Sequence, residues 1–371
     1  MKISRIAPAL LFAGAAGLAS LPPAGGAAGP RAKGAAETDP FFRGMAFGLF
    51  SRGESTYIRE QLDEMRGLGI DSVSLVVPKA TPDTRSQTFV DDRWATPRDE
   101  ALRSAARLAH ERGMRVLLFP LVHVQTLDTG EWRGTLRPAD WGGWFRAYGE
   151  FLLHYARLAE EESIEVLSVG SELCSSEARE DDWRSLIARV RQVYHGRVLY
   201  SANWDHYRDV GFWDALDYLG VNAYFRLSGA PEPTVEELTA GWTGHREALI
   251  TWARREGRPL LITEVGYPSR AGAADDPWNY TAERPADLEL QRRCYRAFVE
   301  TWSGVRELKG AFFYLWWGEG GAGDRDYTPR GKPAAAELAR WFGEIARGGR
   351  SELGATRDRP EPDATARKEN R

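Results

Sequence analysis

The chain is poor in cysteine, with two in 371 residues, and it holds only six histidines. Two cysteines allow at most one disulfide, and no His/Cys/Asp/Glu cluster at metal-ligand spacing is visible, so the sequence calls for neither a metal nor another cofactor. An excess of one charge is also missing: 49 Lys+Arg face 53 Asp+Glu, for a net charge of −4. With no long basic run, this balance argues against nucleic acid as the main partner. Membrane-spanning length is lacking too. The apolar stretch at 6–18 is too short for a confident span. Lys2 and Arg5 precede it and a Pro/Gly/Ala-rich run follows, which is the layout of a secretory signal. Residues 1–28 are therefore expected to be a signal peptide with its small-residue segment, 29–40 a linker, and the mature protein secreted or periplasmic. No cysteine follows the apolar run to take a lipid. The segment 348–371 is rich in Arg, Glu, Asp and Pro, and it is expected to be a disordered polar tail.

A glycine-rich phosphate turn is likewise absent. Gly44, Gly48 and Gly53 do not form the fingerprint that opens a doubly wound dinucleotide sheet. The chain has alternation instead. Short β-branched or aromatic runs at 44–50, 72–77, 115–123, 164–172, 197–203, 219–224, 259–264 and 310–317 are interleaved with longer segments. Amphipathic segments fall at 56–68, 98–112, 141–161, 182–194, 234–256, 286–303 and 333–346. Pro78 is expected to end the second strand. The strands are near-continuous apolar runs, as strands buried on both faces should be. Eight strands, with seven amphipathic segments between and after them and a short connection from the fifth strand to the sixth, imply an α/β fold, a single closed (β/α)8 TIM barrel over 41–347. Cys174 and Cys294 fall in units four and seven, too far apart around such a ring to bond, and both are expected to be buried free thiols. The long connections, 78–97, 123–140, 223–233, 266–285 and 318–332, all follow strands. They gather on the C-terminal face of the barrel, where barrel sites are built.

Two of these runs end on a carboxylate, Glu172 after strand four and Glu264 after strand seven. A charged group at the end of a buried strand serves a core badly and a site well. Alone, either glutamate could simply be the partner of an arginine. Together across one barrel mouth, they are the pair that hydrolysis of a glycosidic bond with retention requires: a proton donor and a nucleophile about 5 to 5.5 Å apart. The remaining strand ends carry His123, Asn203, Trp204, Asn222, Tyr224, Trp316 and Trp317. Rings of this kind stack on the C–H faces of a sugar, and the polar side chains reach its hydroxyls. The acidic run Glu177, Glu180, Asp181 and Asp182 is expected to be a solvated helix start capped by Asp181 or Asp182. Asp324 and Asp326 are expected in a plain Gly-rich turn.

At these residues the chain resembles the clan A glycoside hydrolases, and within them glycoside hydrolase family 113, a group of β-mannanases. The resemblance spans roughly 43–342 and rests on Val169-Gly-Ser-Glu-Leu173, Tyr200-Ser-Ala-Asn-Trp204, Leu219-Gly-Val-Asn-Ala-Tyr224, Ile262-Thr-Glu-Val-Gly-Tyr267 and Phe313-Tyr-Leu-Trp-Trp317. It implies an exported endo-β-1,4-mannanase acting on a polysaccharide or oligosaccharide. Glu172 would be the acid/base, Glu264 the nucleophile, Tyr224 the group that orients it, and Trp316 or Trp317 the floor under the reacting sugar. The chain departs from the clan pattern at Ser171, where many members place an asparagine against the sugar 2-hydroxyl. A shorter hydroxyl there would suit the axial 2-hydroxyl of mannose.

Three alternatives stay open on the sequence: another clan A activity such as endoglucanase or galactanase, a sugar-binding barrel without turnover, and a barrel acting on phosphorylated metabolites. The last is disfavoured because the Gly318–Gly323 loop carries Glu319 and is followed by Asp324. For the hydrolase, the charge of Glu264 is expected to keep Glu172 protonated, with Glu264 setting the acidic limb of the pH profile.

Overall fold

A computed structural model of the chain describes residues 40–49 and 54–347. The expected signal peptide, most of the linker and the polar tail lie outside the described residues. Eight parallel strands close into one barrel in chain order: β1 (Phe42–Phe47), β2 (Ser72–Thr81), β3 (Arg115–Val124), β4 (Val166–Ser171), β5 (Arg197–Asn203), β6 (Tyr218–Asn222), β7 (Leu260–Val265) and β8 (Leu308–Trp316). The helices are α1 (Ser55–Gly67), α2 (Asp99–His110), α3 (Trp141–Glu161), a single turn α4 (Cys174–Glu177), α5 (Glu180–Val193), α6 (Val235–Glu256), α7 (Leu288–Trp302) and α8 (Ala334–Ala346). The (β/α)8 barrel expected from the sequence is the fold observed. The fifth unit lacks an α-helix, in keeping with the short connection in the sequence: among the described elements only a 3-10 turn, Trp213–Ala215, joins β5 to β6. The chain between those strands is too short to run an α-helix back along the barrel.

Alternation along each strand makes two cores. On β3, Leu117, Phe119 and Leu121 join Phe42, Leu199, Tyr218, Leu261 and Phe312 inside the barrel, while Val116, Leu118 and Val122 pack outward under the helices. Helix ends are fixed locally. Thr234 and Glu237 form a reciprocal capping box at α6, and the Asp287 carboxylate accepts the Leu290 amide at α7. At α5 the cap position is Arg179, and Asp181 and Asp182 sit inside the first turn, where they favour the helix through its dipole rather than by capping.

Pro78 does not end β2, which pairs with β3 through Thr81. Among the described residues, β1 accompanies β2 only as far as Leu75, so Pro78 stands where one edge of the strand is unpaired and no N–H is missed. β2 and β3 thus rise above the rim, and Val90 folds back to bridge Ala80. Cys294 is a buried free thiol; Cys174, also free, is only half-buried. Asp324 and Asp326 belong to a braced loop: Lys332, its side chain wholly buried, donates to Asp324 at 2.7 Å, and Arg270 pairs with Asp326 at 2.6 Å. No described helix is long and apolar enough to cross a membrane.

Candidate active site

Three strands that supply the site carry one extra residue near the mouth. Ser168 and Ser171 of β4 lie opposite Leu199 and Ser201 of β5. Val221 and Asn222 of β6 lie opposite Ile262 and Glu264 of β7, and Met45 and Phe47 of β1 opposite Phe313 and Trp316 of β8. Such a bulge re-aims the side chains beyond it. It lets both Thr263 and Glu264 turn inward: Thr263 donates to Asn222 Oδ1 at 2.9 Å, and Glu264 is buried beside it. On β8 it leaves Leu315 inside the barrel and turns Trp316 away.

Glu172 follows β4 with φ of +55°, a left-handed conformation rare for a residue with a side chain. Two bonds hold it. The Glu172 amide donates to Ser201 O at 2.8 Å, and the next amide, Leu173, donates to the Tyr200 hydroxyl at 2.9 Å. Tyr200 in turn donates to Glu177 at 2.7 Å. Glu177 is therefore not part of a solvated helix start. It is buried under the site, and burial pushes its carboxyl up to about 7 against the opposing bond from Tyr200.

The two carboxylates share one network. Asn222 Nδ2 donates to Glu172 Oε1 at 3.0 Å and lies 3.2 Å from Ser171 Oγ. Arg133 Nη1 donates to Glu172 Oε2 at 2.5 Å. The Tyr224 hydroxyl donates to Glu264 Oε2 at 2.8 Å. Burial first, and the charge of Glu172 second, push Glu264 up to about 8, against the opposing pull of Arg133 and Tyr224. Arg133 loses solvation by burial, but the two carboxylates outweigh that loss and raise it. Loss of solvent thus favours the neutral form of Glu264 in the unliganded protein, where the sequence led one to expect an ionised group. Arg133 lies on the 3-10 turn Arg133–Thr135 between β3 and α3. Nothing in the sequence marks it out from the other arginines.

The other strand-end residues divide. Asn222 is fully buried, with both ends of its amide engaged inside the protein. Asn203 donates to Asp205 at 2.7 Å, and His123 is buried 3.9 Å from Asp92. Trp316 is turned outward and donates to Gln61 of α1 at 2.9 Å, so it cannot floor a sugar; Trp317 packs half-buried against the barrel interior. Tyr224, Tyr314 and Tyr327 form an edge-to-face trio around Glu264. Trp204 stacks on Trp278 with centroids 5.7 Å apart. Among the described residues, every exposed large hydrophobic side chain lies on a mouth loop: Val90, Trp94, Leu127 and Trp278. The same residues include no group of three or more His, Cys, Asp or Glu placed to hold a metal ion.

The sequence model of Glycoside Hydrolase Family 113 matches residues 45–332, most of the chain. Among solved structures, the β-mannanase AaManA of that family from Alicyclobacillus acidocaldarius, in complex with ManMIm, is similar at a TM-score of 0.75 and 29% identity, over 84% of this chain and 100% of its own. A β-1,4-mannanase of the same family is similar at 0.73 and 25% identity, over 82% of this chain and 99% of its own. A GH5_18 protein from Streptomyces cattleya, in complex with GlcNAc, shares the fold at 0.55 and 15% identity, over 84% of this chain and 81% of its own. No protein of curated function matches the chain in sequence.

Proposed function

The chain belongs to glycoside hydrolase family 113, and from that premise we propose that it is an exported, retaining endo-β-1,4-mannanase with Glu172 as acid/base and Glu264 as nucleophile. One observation carries the assignment of roles: two inward-facing carboxylates at the ends of β4 and β7, of which Glu264 is oriented by Tyr224 and is close enough to feel the charge of Glu172.

In the first step Glu264 attacks the anomeric carbon while Glu172 gives its proton to the departing glycosidic oxygen. In the second, Glu172 takes a proton from water, the hydroxide attacks the same carbon, and Glu264 leaves as a carboxylate. Trp317 is the remaining candidate for the floor of the reacting subsite. His123, Ser171, Asn203 and Trp204 are the further candidates for sugar contacts. Exposed rings stand on both sides of the pair. Trp94 follows β2, whereas Trp278 covers Trp204 after β5, so a chord between them passes with β4 on one side and β7 on the other. Apolar platforms at both ends favour a chain lying across the mouth and cut internally. Lys2, Arg5 and the apolar stretch 6–18 support export.

The test is reducing-sugar release from β-1,4-mannan by the wild type, Glu172→Ala and Glu264→Ala, with a dinitrophenyl β-mannobioside in parallel. The wild type should cleave both substrates and Glu264→Ala neither. Glu172→Ala should lose mannan but still form the glycosyl-enzyme from the dinitrophenyl substrate, whose leaving group needs no acid. Release from another β-glucan or a galactan but not from mannan would keep the mechanism and replace the substrate.

A further inference from the structure

Both oxygens of Glu172 are occupied by groups that can only donate. Oε1 receives Asn222 Nδ2 at 3.0 Å and Oε2 receives Arg133 Nη1 at 2.5 Å. Neither donor can accept a hydrogen bond, so this geometry suits a carboxylate and offers no acceptor to a carboxylic acid. It is the wrong state for an acid that must protonate a glycosidic oxygen. The two donors do not oppose that proton equally, since Arg133 carries a full positive charge and Asn222 none, and they are not equally free to move. Asn222 is fully buried on β6, its other end fixed by Thr263. Arg133 reaches in from a loop, its side chain is 19% exposed, and its Nε makes only a long bond, 3.3 Å, to the Val122 carbonyl. The turn beneath it is held separately, by the reciprocal bonds between Trp132 and Thr135. The base is anchored and the guanidinium can swing.

We propose that Arg133 is a positioning residue for the reaction, a mobile counter-ion that sits on Glu172 whenever that group is a carboxylate and withdraws when its proton must reach the leaving oxygen. The proposal rests on the reading of Glu172 as acid/base. In the resting protein Arg133 lies on Glu172, an arrangement that suits a carboxylate. For glycosylation a proton must lie on Glu172 and Glu264 must be free to attack. Movement of Arg133 off Glu172 is the switch between the two arrangements. Once the sugar is on Glu264, the charge on that side is gone. Arg133 can then return to Glu172, which must be ionised to take a proton from water. The titratable and charged groups that bear on the pair are Arg133 from the β3–α3 loop, Tyr224 after β6, Tyr314 of β8, Tyr327 of the β8–α8 loop, and Cys174 of α4 behind Glu172. Arg133 is the one cation among them.

Arg133→Gln and Arg133→Lys test this, with kcat/KM followed against pH on mannan and pre-steady-state kinetics on the dinitrophenyl β-mannobioside. Removing a cation shared by two coupled carboxyls raises both apparent pKa values, whichever carboxyl holds the proton. Both limbs of the Arg133→Gln profile should therefore move to higher pH, by about one unit or more. With the dinitrophenyl substrate, its turnover should fall at least about tenfold in the deglycosylation step alone, leaving a burst of released phenol. Arg133→Lys, which keeps the charge, should keep both limbs close to the wild type. Unmoved limbs in Arg133→Gln, with an equal loss on both substrates, would overturn the proposal and leave Arg133 a structural residue. Full mannan hydrolysis by Glu172→Ala would instead remove the reading on which it rests.

Discussion

The Tyr224 hydroxyl donates to Glu264 Oε2 at 2.8 Å, and both side chains are buried at the mouth of the barrel. This bond stabilises the ionised form of Glu264, the form that attacks in the proposed mechanism, and fixes the orientation of its carboxylate. A hydrogen bond to a charged group contributes about 1.5 to 3 kcal/mol, so Tyr224→Phe should lose roughly ten- to a hundredfold in kcat. The same loss should carry the alkaline limb of the profile upward, because Glu264 then holds its proton more tightly. A fall in rate with no movement of that limb would mean that the tyrosine acts only on the sugar.

The raised carboxyl of Glu264 bears on the pH dependence of the reaction. With Glu264 pushed up to about 8, the pair gives up its last proton near that pH. Hydrolysis needs one proton in the pair, so kcat/KM should hold through neutral pH and fall along an alkaline limb close to 8. The sequence suggested that Glu264 would govern the acidic limb. Burial of Glu264, which raises its carboxyl, points to the alkaline limb instead. A profile already falling at pH 6 would contradict the geometry.

Glu177 ties folding stability to pH. Its carboxyl, ordinarily at 4.5, rises to about 7 in the folded protein. The folded state binds this proton more tightly than the unfolded chain, so the advantage is complete below about pH 4.5 and disappears as pH rises through 7. One group with such a shift accounts for a decline of up to about 3 kcal/mol over that window. Denaturant melts of Glu177→Gln at several pH values should show a shallower decline than the wild type. Parallel slopes for the two proteins would exclude Glu177 as the source.

Trp278 should matter for long substrates and not for short ones. Its ring is 44% exposed and stacks at 5.7 Å on Trp204, too close for a sugar to enter between them, so only its outer face is open to a ligand. Losing one such face should raise KM for mannan about three- to tenfold, in line with aromatic contacts of about 0.5 to 1.5 kcal/mol. The dinitrophenyl β-mannobioside should be turned over by Trp278→Ala at the wild-type rate. An equal loss on both substrates would place the ring against the reacting sugar.

Much of the site was legible because a buried strand has no other use for a charge. Glu172 and Glu264 stand out at the ends of apolar runs, and Tyr224 follows β6 two residues beyond Asn222. Arg133 was not legible, because it sits in a loop whose path depends on the rest of the barrel, among many other arginines. Glu177 was misread for a related reason: beside Glu180, Asp181 and Asp182 it looks like surface, and only the turn of α4 carries it beneath Glu172. Trp316 and Trp317 are adjacent and chemically alike, and no periodicity could separate the ring that faces in from the one that faces out.

The sequence by itself determined the eight strands and the helices that alternate with them, the closed parallel barrel they imply and the strands that bear the two carboxylates. These follow from local hydrophobic patterning, and each stretch of chain reports its own period. Tertiary structure alone decided the one extra residue near the mouth of β4, β7 and β8, the guanidinium on Glu172 and the burial that raises the carboxyl of Glu264. Those depend on register between neighbouring strands and on charges brought together from distant segments, so their energies exist only once the barrel has closed.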